Sequence, residues 1–96
     1  MKGGIRLRST LELKTKEIFR ILALNTREKY GITQSEMSRA LFMSERSYEE
    51  IERGKSGCGV LTVILLLIKS DDPLKVLNNL EKEFKKAYNG KVYEHV

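Results

Sequence analysis

The chain has 96 residues and one cysteine, with 41% hydrophobic residues, 32% charged residues and a formal net charge of +5. This length and balance indicate one globular domain and exclude a wholly disordered chain, which would contain fewer apolar residues. A single cysteine excludes an internal disulfide framework and is typical of the reducing cytoplasm, the location that we expect.

The first segment along the chain, residues 1–8, is basic and carries Lys2, Arg6 and Arg8 beside two glycines. It contains no apolar run of the kind found in a signal peptide. We therefore predict a basic N-terminal arm that precedes a folded domain over residues 9–88.

The following segment has the pattern of a first helix. Ser9 and Glu12 predict a capped N-terminus, because the serine oxygen can accept a backbone N–H while the glutamate reaches back to the cap. Apolar residues then recur at helical spacing toward Tyr30. Gly31 is expected to end this helix in a left-handed conformation.

Residues 33–54 contain two capped helical patterns on either side of a very short connection. Thr33 and Glu36 predict a capping box, and Ser44 predicts the N-cap of the second helix. The residues expected to face inward are Met37, Ala40, Leu41, Met43, Tyr48 and Ile51. Two short helices joined by a tight turn are typical of a helix-turn-helix, whose second helix can enter the major groove of DNA.

A glycine-rich connection, residues 54–59, separates this pair from a nearly continuous apolar run at residues 60–68. The run is far shorter than the ~20 residues of a membrane span. We therefore predict a helix that fills the core, and no association with a membrane.

The last predicted helix covers residues 73–88, because Asp72 supplies an acidic cap and Pro73 suits the first turn. The tail, residues 89–96, is predicted to be a short strand or a frayed end. The last helix has an apolar stripe larger than one small core requires, so we expect this helix or the tail to form a homodimer. The stripe includes Leu77, Leu80, Phe84 and Ala87.

Many residues of the central region match a known family in register. They are Arg27, Gly31-Ile32-Thr33-Gln34, Glu36-Met37, Leu41, Met43-Ser44, Tyr48, Ile51-Glu52 and Gly54-Lys55. Over roughly residues 19–68 the chain thus resembles the Cro/repressor-like (XRE) helix-turn-helix family. The resemblance implies an all-α, five-helix lambda-repressor-like bundle that contains a helix-turn-helix, with termini that are flexible or β-like.

The resemblance also implies which residues contact DNA. They are Gln34, Ser44, Glu45, Arg46, Ser47, Glu50, Arg53 and Lys55. Gln34 would bind a phosphate and the helix from Ser44 would read bases, with Arg46 able to bond both O6 and N7 of guanine. Simpler alternatives stay open: an ion pair of Arg46 with Glu49 or Glu50, and mere solvation for Gln34 and the basic residues after the helix.

Three further positions matter to the scaffold. The resemblance implies a partly buried ion pair between Arg27 and Glu52, which lie 25 residues apart. Ser38 replaces a common alanine and is small enough to fit. Phe42 replaces a common left-handed glycine, at a cost of roughly 1–2 kcal/mol unless the turn changes shape. We therefore predict an altered turn, with the Phe42 ring buried or offered to a partner.

Charge divides unevenly along the chain. Residues 33–54 carry three Arg and five Glu, a net charge of −2, whereas residues 1–32 and 55–96 have net charges of +5 and +2. The segment expected to face DNA is thus the acidic one. The first prediction is a dimeric, sequence-specific transcriptional regulator that binds double-stranded DNA. The alternative is a protein-interaction module of the same fold, antitoxin-like or regulator-binding, with weak or no DNA binding; a purely structural helical domain is a third.

Enzymatic chemistry is not predicted. No Ser/His or Cys/His spacing supports a nucleophile, and no glycine loop suits a phosphate. Cys58 and His95 cannot supply the three or four donors that a zinc site needs. We expect no catalytic residue, no metal and no cofactor.

Overall fold

The computed structural model describes the backbone of residues 2–88 and the side chains of residues 6–87. Its five elements are α1 (Lys2–Tyr30), α2 (Gln34–Ala40), α3 (Glu45–Glu52), α4 (Val60–Lys69) and α5 (Pro73–Tyr88). The predicted all-α class and five helices are confirmed for this part of the chain. The predicted short strand or frayed end at residues 89–96 lies outside it.

The first helix is longer than the sequence pattern predicts. α1 begins at Lys2 and has 29 residues, so Ser9 lies inside the helix and does not cap it. At 1.5 Å per residue this helix spans ~43 Å, close to the 44 Å longest dimension of the molecule. The predicted start was wrong because extending an existing helix is far easier than nucleating one, so two early glycines do not stop it. The segment assigned to an arm is therefore helical from Lys2.

The core forms where α1 meets the short helices that follow it. α1 contacts α3, α4 and α5, while α2 packs on α3 and α4 on α5. The buried apolar residues are Phe19, Ala23, Met37, Leu41, Tyr48, Ile51 and Leu66. Four of the six predicted inward-facing residues of α2 and α3 belong to this set, and Ala40 and Met43 are half-buried. The core thus holds α3 by one face only.

The prediction that the apolar run fills the core is only partly correct: Leu66 belongs to the core and Val63, Leu65 and Leu67 pack against it, but the other apolar residues of the run do not. In α4 only Thr62 and Leu66 are buried, whereas Val60 is 78% exposed and Ile68 is 71% exposed. A ten-residue helix packed on α1 and α5 has one face covered, and the rest of this small domain is too short to wrap the other. α4 therefore presents apolar side chains on its outer face.

The start of α5 agrees with its predicted cap. Asp72 Oδ1 accepts a hydrogen bond from the backbone N of Lys75 at 3.1 Å, and Pro73 is the first helical residue. An ion pair joins Lys29 to Asp71 at one end of the α1–α5 contact, and Lys14 pairs with Glu83 farther along. The two helices therefore run antiparallel.

The connection between α2 and α3 keeps a left-handed turn despite its bulky residue. Phe42 has φ = 57°, and its ring is 80% exposed. The predicted altered turn is therefore wrong, whereas exposure of the ring is one of the two outcomes foreseen. Ser38 fits as expected: it is buried, and its hydroxyl donates to the carbonyl of Ser35 at 2.7 Å.

Phe42→Gly should raise the free energy of unfolding. Glycine removes roughly 1–2 kcal/mol of left-handed strain, and its greater freedom in the unfolded chain returns ~0.5–1 kcal/mol, so a net gain below ~1.5 kcal/mol is expected. Urea unfolding followed by circular dichroism measures it. The matched control is Gly31→Ala, at one of the two left-handed glycines (φ = 62°), which should destabilise. A loss of stability in Phe42→Gly would show that the ring makes a favourable contact.

Candidate nucleic-acid interface

The N-termini of α2 and α3 are both fixed by side-chain caps. Thr33 Oγ1 accepts from the backbone N of Glu36 at 3.1 Å, and Glu36 Oε1 accepts from the backbone N of Thr33 at 2.9 Å. Ser44 Oγ accepts from the backbone N of Ser47 at 3.1 Å. The predicted capping box and N-cap are both formed, so the first turn of α3 has a defined direction.

Behind α3 lies an ion-paired cluster that ties it to α1. Arg27 donates from Nε to Glu52 Oε2 at 2.6 Å and from Nη2 to Oε1 at 3.1 Å, so the implied pair is present and bidentate. Arg27 Nη1 also donates to the carbonyl of Ile32 at 3.2 Å. The Glu52 side chain is 6% exposed. One guanidinium therefore fixes the end of α3 and the segment that leads into α2.

Gln34 belongs to the same cluster, which the sequence pattern did not foresee. Its Nε2 donates to Glu52 Oε1 at 2.8 Å. An amide nitrogen has two protons, so one serves the cluster and the second can still reach a phosphate. Sequence reasoning missed this because a hydrogen bond across 18 residues leaves no periodic signal.

The charge of Glu52 is favoured by these partners. Burial opposes the charged form, but the hydrogen bonds, that of Arg27 foremost, outweigh it and hold the pKa of Glu52 below its ordinary value. The carboxylate therefore stays ionised through mildly acidic pH, and the link between α1 and α3 stays intact.

Glu52→Gln should change how the free energy of unfolding depends on pH. Because the folded pKa is lowered, the contribution of Glu52 is fully present above the unfolded value of ~4.3 and is lost as pH falls through the folded pKa. The difference in unfolding free energy between the two proteins, from urea titrations between about pH 7 and about pH 3, should shrink toward acid pH. An Arg27→Met background should reduce that trend. A difference that stays constant across the range would contradict the assignment.

The other side of α3 faces solvent. Four of the implied base-reading residues are exposed, and Glu50 is half-exposed; the four are Ser44, Glu45, Arg46 and Ser47. The Arg46 side chain is 89% exposed and pairs with Glu50, Nε to Oε2, at 3.8 Å. The predicted residues thus come together on one face.

The ion pairs on this face are weak. Arg46–Glu50 and Arg53–Glu49, at 3.8 and 3.5 Å, are exposed i,i+4 pairs, which contribute little because water screens them. Arg46 can therefore leave Glu50 for another acceptor at small cost. The ion pair with Glu50 therefore does not prevent Arg46 from contacting another partner.

Basic side chains from two parts of the chain lie at the connection that follows α3. Lys55 is exposed and follows Gly54, which ends α3 with φ = 76°. Arg20 of α1 lies against Gly54, since a Cβ there would be 3.5 Å from Arg20 Cδ, and Lys16 lies against Gly57 in the same way at 3.9 Å. These two α1 residues were missed because the fold alone brings them beside this connection.

Residues 2–88 give little support to a metal site, a membrane-spanning helix or a nucleophilic cysteine. Within that range no three His, Cys, Asp or Glu side chains gather as a metal site would require, and no helix has the length and apolarity to cross a membrane. Burial raises the pKa of the half-buried Cys58 thiol, so it is a poor nucleophile. His95 lies outside the described part.

Comparison of the chain with protein-family models, curated proteins and solved structures gave no match. The exposed face of α3 and the ion-paired cluster behind it are therefore the features from which a function can be inferred.

Proposed function

We propose that this protein is a sequence-specific DNA-binding transcriptional regulator of the Cro/repressor-like class, acting in the cytoplasm as a dimer. In this proposal α2 and α3 form a helix-turn-helix, and α3 lies in the major groove. The observation that carries the proposal is the division of α3 into two faces. Tyr48, Ile51 and Glu52 hold it inward, while its capped N-terminal turn is polar and exposed.

Base reading would fall to the exposed residues of that turn. Arg46 can bond O6 and N7 of guanine, and Glu45 or Glu50 can accept from N4 of cytosine. Neither carboxylate can match both groups on the adenine edge. A site rich in G·C pairs at the positions under α3 is therefore the expected preference.

Backbone contacts would offset the acidity of α3. Gln34 with its second amide proton, Arg53 and Lys55 flank the helix and can each approach a phosphate. Lys16 adds positive charge beside the following connection, whereas Arg20, which also lies there, is paired with Glu17. Each phosphate neutralised steepens the loss of affinity with salt without adding sequence preference.

The test is selection of binding sites from random double-stranded DNA at physiological salt, followed by affinity measurement. Arg46→Ala should cost ~1–3 kcal/mol on the preferred site and relax one base position. Lys55→Ala should weaken all sequences alike and lower the salt slope by about one. Arg39→Ala, an exposed arginine at the far end of α2, is the matched control and should change little. Failure to enrich any motif, with Arg46→Ala neutral, would overturn the proposal.

A protein-interaction module is the second candidate, and two observations favour it. The segment containing α2 and α3 has a net charge of −2, and the Phe42 ring is exposed on a strained turn. Strained backbone and exposed aromatic residues both concentrate at functional surfaces. A purified partner whose binding survives high salt and is lost on Glu45→Lys with Glu50→Lys would support this candidate. A steep salt dependence of DNA binding would favour the regulator.

A further inference from the structure

Six of the ten large apolar side chains that are exposed among the described residues belong to α4 and the start of α5. Four of them, Val60, Leu61, Ile64 and Ile68, lie on α4, and Leu74 and Leu77 lie at the start of α5, which contacts α4. These six side chains, here called the α4 face, are between 46% and 78% exposed. Contiguous apolar surface of this kind usually marks an interaction site.

The α4 face is large enough to serve as the centre of a small dimer interface. Together its six side chains leave the equivalent of about four whole aliphatic side chains uncovered. At ~1.5–3 kcal/mol for each side chain fully buried, one copy would gain roughly 6–12 kcal/mol and two copies twice that. This gross gain is comparable to the ~4–15 kcal/mol that association costs in lost freedom. The net affinity should therefore be moderate.

The charges around this face fit a second copy of the same helix. No charged residue occurs from Ser56 to Ile68. Pairing this segment with an apolar surface would therefore bury no charge of its own. Basic residues, Arg53 and Lys55, precede the uncharged stretch, whereas Asp71 and Asp72 follow it shortly after Lys69. Of these, Arg53 is paired with Glu49 and Asp71 with Lys29, so Lys55 and Asp72 are the charges that an antiparallel pair would bring toward each other, twice by symmetry. Such a pair would also oppose the two helix dipoles.

We infer that α4 pairs antiparallel with α4 of a second copy about a two-fold axis near Ile64. Ile64 then faces its own counterpart, and Val60 faces Ile68, as an isologous interface requires. This inference deepens the proposed function and rests on it for its role, because the pair would carry two α3 helices. It differs from the expectation that α5 or the tail forms the dimer. Three of the four named residues of the α5 stripe pack on the bundle, since Leu80 lies against the core and Phe84 and Ala87 are half-buried, and the tail lies outside the described residues.

Cysteine cross-linking tests the geometry of this pair. In a Cys58→Ser background, Ile64→Cys should oxidise to a covalent dimer, because a residue on the axis meets itself. Val60→Cys alone and Ile68→Cys alone should cross-link far more slowly, whereas an equimolar mixture of the two should form the heterodimer. Efficient cross-linking of Val60→Cys alone, or none in Ile64→Cys, would overturn the antiparallel register.

Sedimentation equilibrium tests the surface itself without DNA. The unmodified chain should be a dimer at ~100 µM. Ile64→Glu should be a monomer, because pairing would bury an uncompensated charge. Its helical circular dichroism should be unchanged, because Ile64 is outside the core. The control is Leu13→Glu on α1, a leucine that is 61% exposed, which should remain dimeric. A monomeric unmodified chain, or a dimer that survives Ile64→Glu, would overturn the inference.

The two proposals fail in different ways. If the inference holds, Ile64→Glu should lose at least tenfold affinity for a two-fold symmetric site while keeping affinity for a single half-site. A dimer that cross-links through Ile64→Cys but binds no DNA would overturn the proposed function alone. If the protein binds DNA and its dimer survives the Ile64→Glu substitution, the inference alone would be overturned.

Discussion

Arg27→Met should lower the free energy of unfolding by roughly 3–5 kcal/mol, because it leaves the Glu52 carboxylate buried without its partner. The Glu52 side chain is 6% exposed, and Arg27 makes two of its hydrogen bonds. Methionine keeps most of the side-chain volume, so the loss reports the charge rather than a cavity. The figure should fall toward the lower limit, since Arg27 is 24% exposed and water can reach the site. Urea unfolding at neutral pH measures it.

Arg20→Met is the matched control for that experiment. Arg20 lies on the same helix and is also bidentate to a glutamate, with contacts to Glu17 of 3.0 and 2.7 Å. The Glu17 side chain is 55% exposed, so its charge remains solvated when the arginine is removed. The control should therefore lose much less stability than Arg27→Met. Equal losses in the two variants would mean that the buried pair has no special role.

Leu66→Ala should cost ~2–5 kcal/mol, the range for a truncated buried leucine that leaves a cavity. Leu66 has no exposed surface and is the one fully buried apolar residue of α4. With it removed, Thr62 would be the one buried residue left in α4, beside the partly buried Val63, Leu65 and Leu67, so α4 should detach more readily. Native-state hydrogen exchange would then show faster exchange in α4 than in α3.

Leu13→Ala is the control for the same substitution on an exposed leucine. Leu13 is 61% exposed on α1, so a change within about 0.5 kcal/mol is expected. Thermal or urea unfolding of both variants at a concentration that keeps the chain monomeric separates packing from association. A loss below ~1 kcal/mol for Leu66→Ala would show that α4 is held by its other contacts.

Much of the fold follows from local rules. The helix ends at Gly31, Thr33, Ser44 and Pro73 were predicted correctly, because caps and prolines act through neighbouring backbone groups. Apolar spacing gave the buried residues of α2 and α3 for the same reason. The start of α1 was not predictable in this way, since an internal serine looks like a cap wherever helix could begin.

The sequence predicted which residues of α3 are exposed in the candidate interface, but not the long-range contacts around it. Exposure of the α3 N-terminal turn follows from the helical period, which puts Tyr48 and Ile51 on the opposite face. The hydrogen bond from Gln34 to Glu52, and the approach of Arg20 to Gly54, join residues far apart in the chain. No periodicity encodes such contacts.

The sequence by itself determined the helical class, the caps of α2, α3 and α5, and the core residues of α2 and α3, because these depend on side-chain chemistry and spacing within one or two turns. Only the tertiary structure decided which faces stay uncovered. The apolar composition of α4 predicts burial equally for every side, yet α1 and α5 cover one side and leave Ile64 and Ile68 exposed. Coverage depends on how much chain is left to wrap a helix, which is a property of the whole domain.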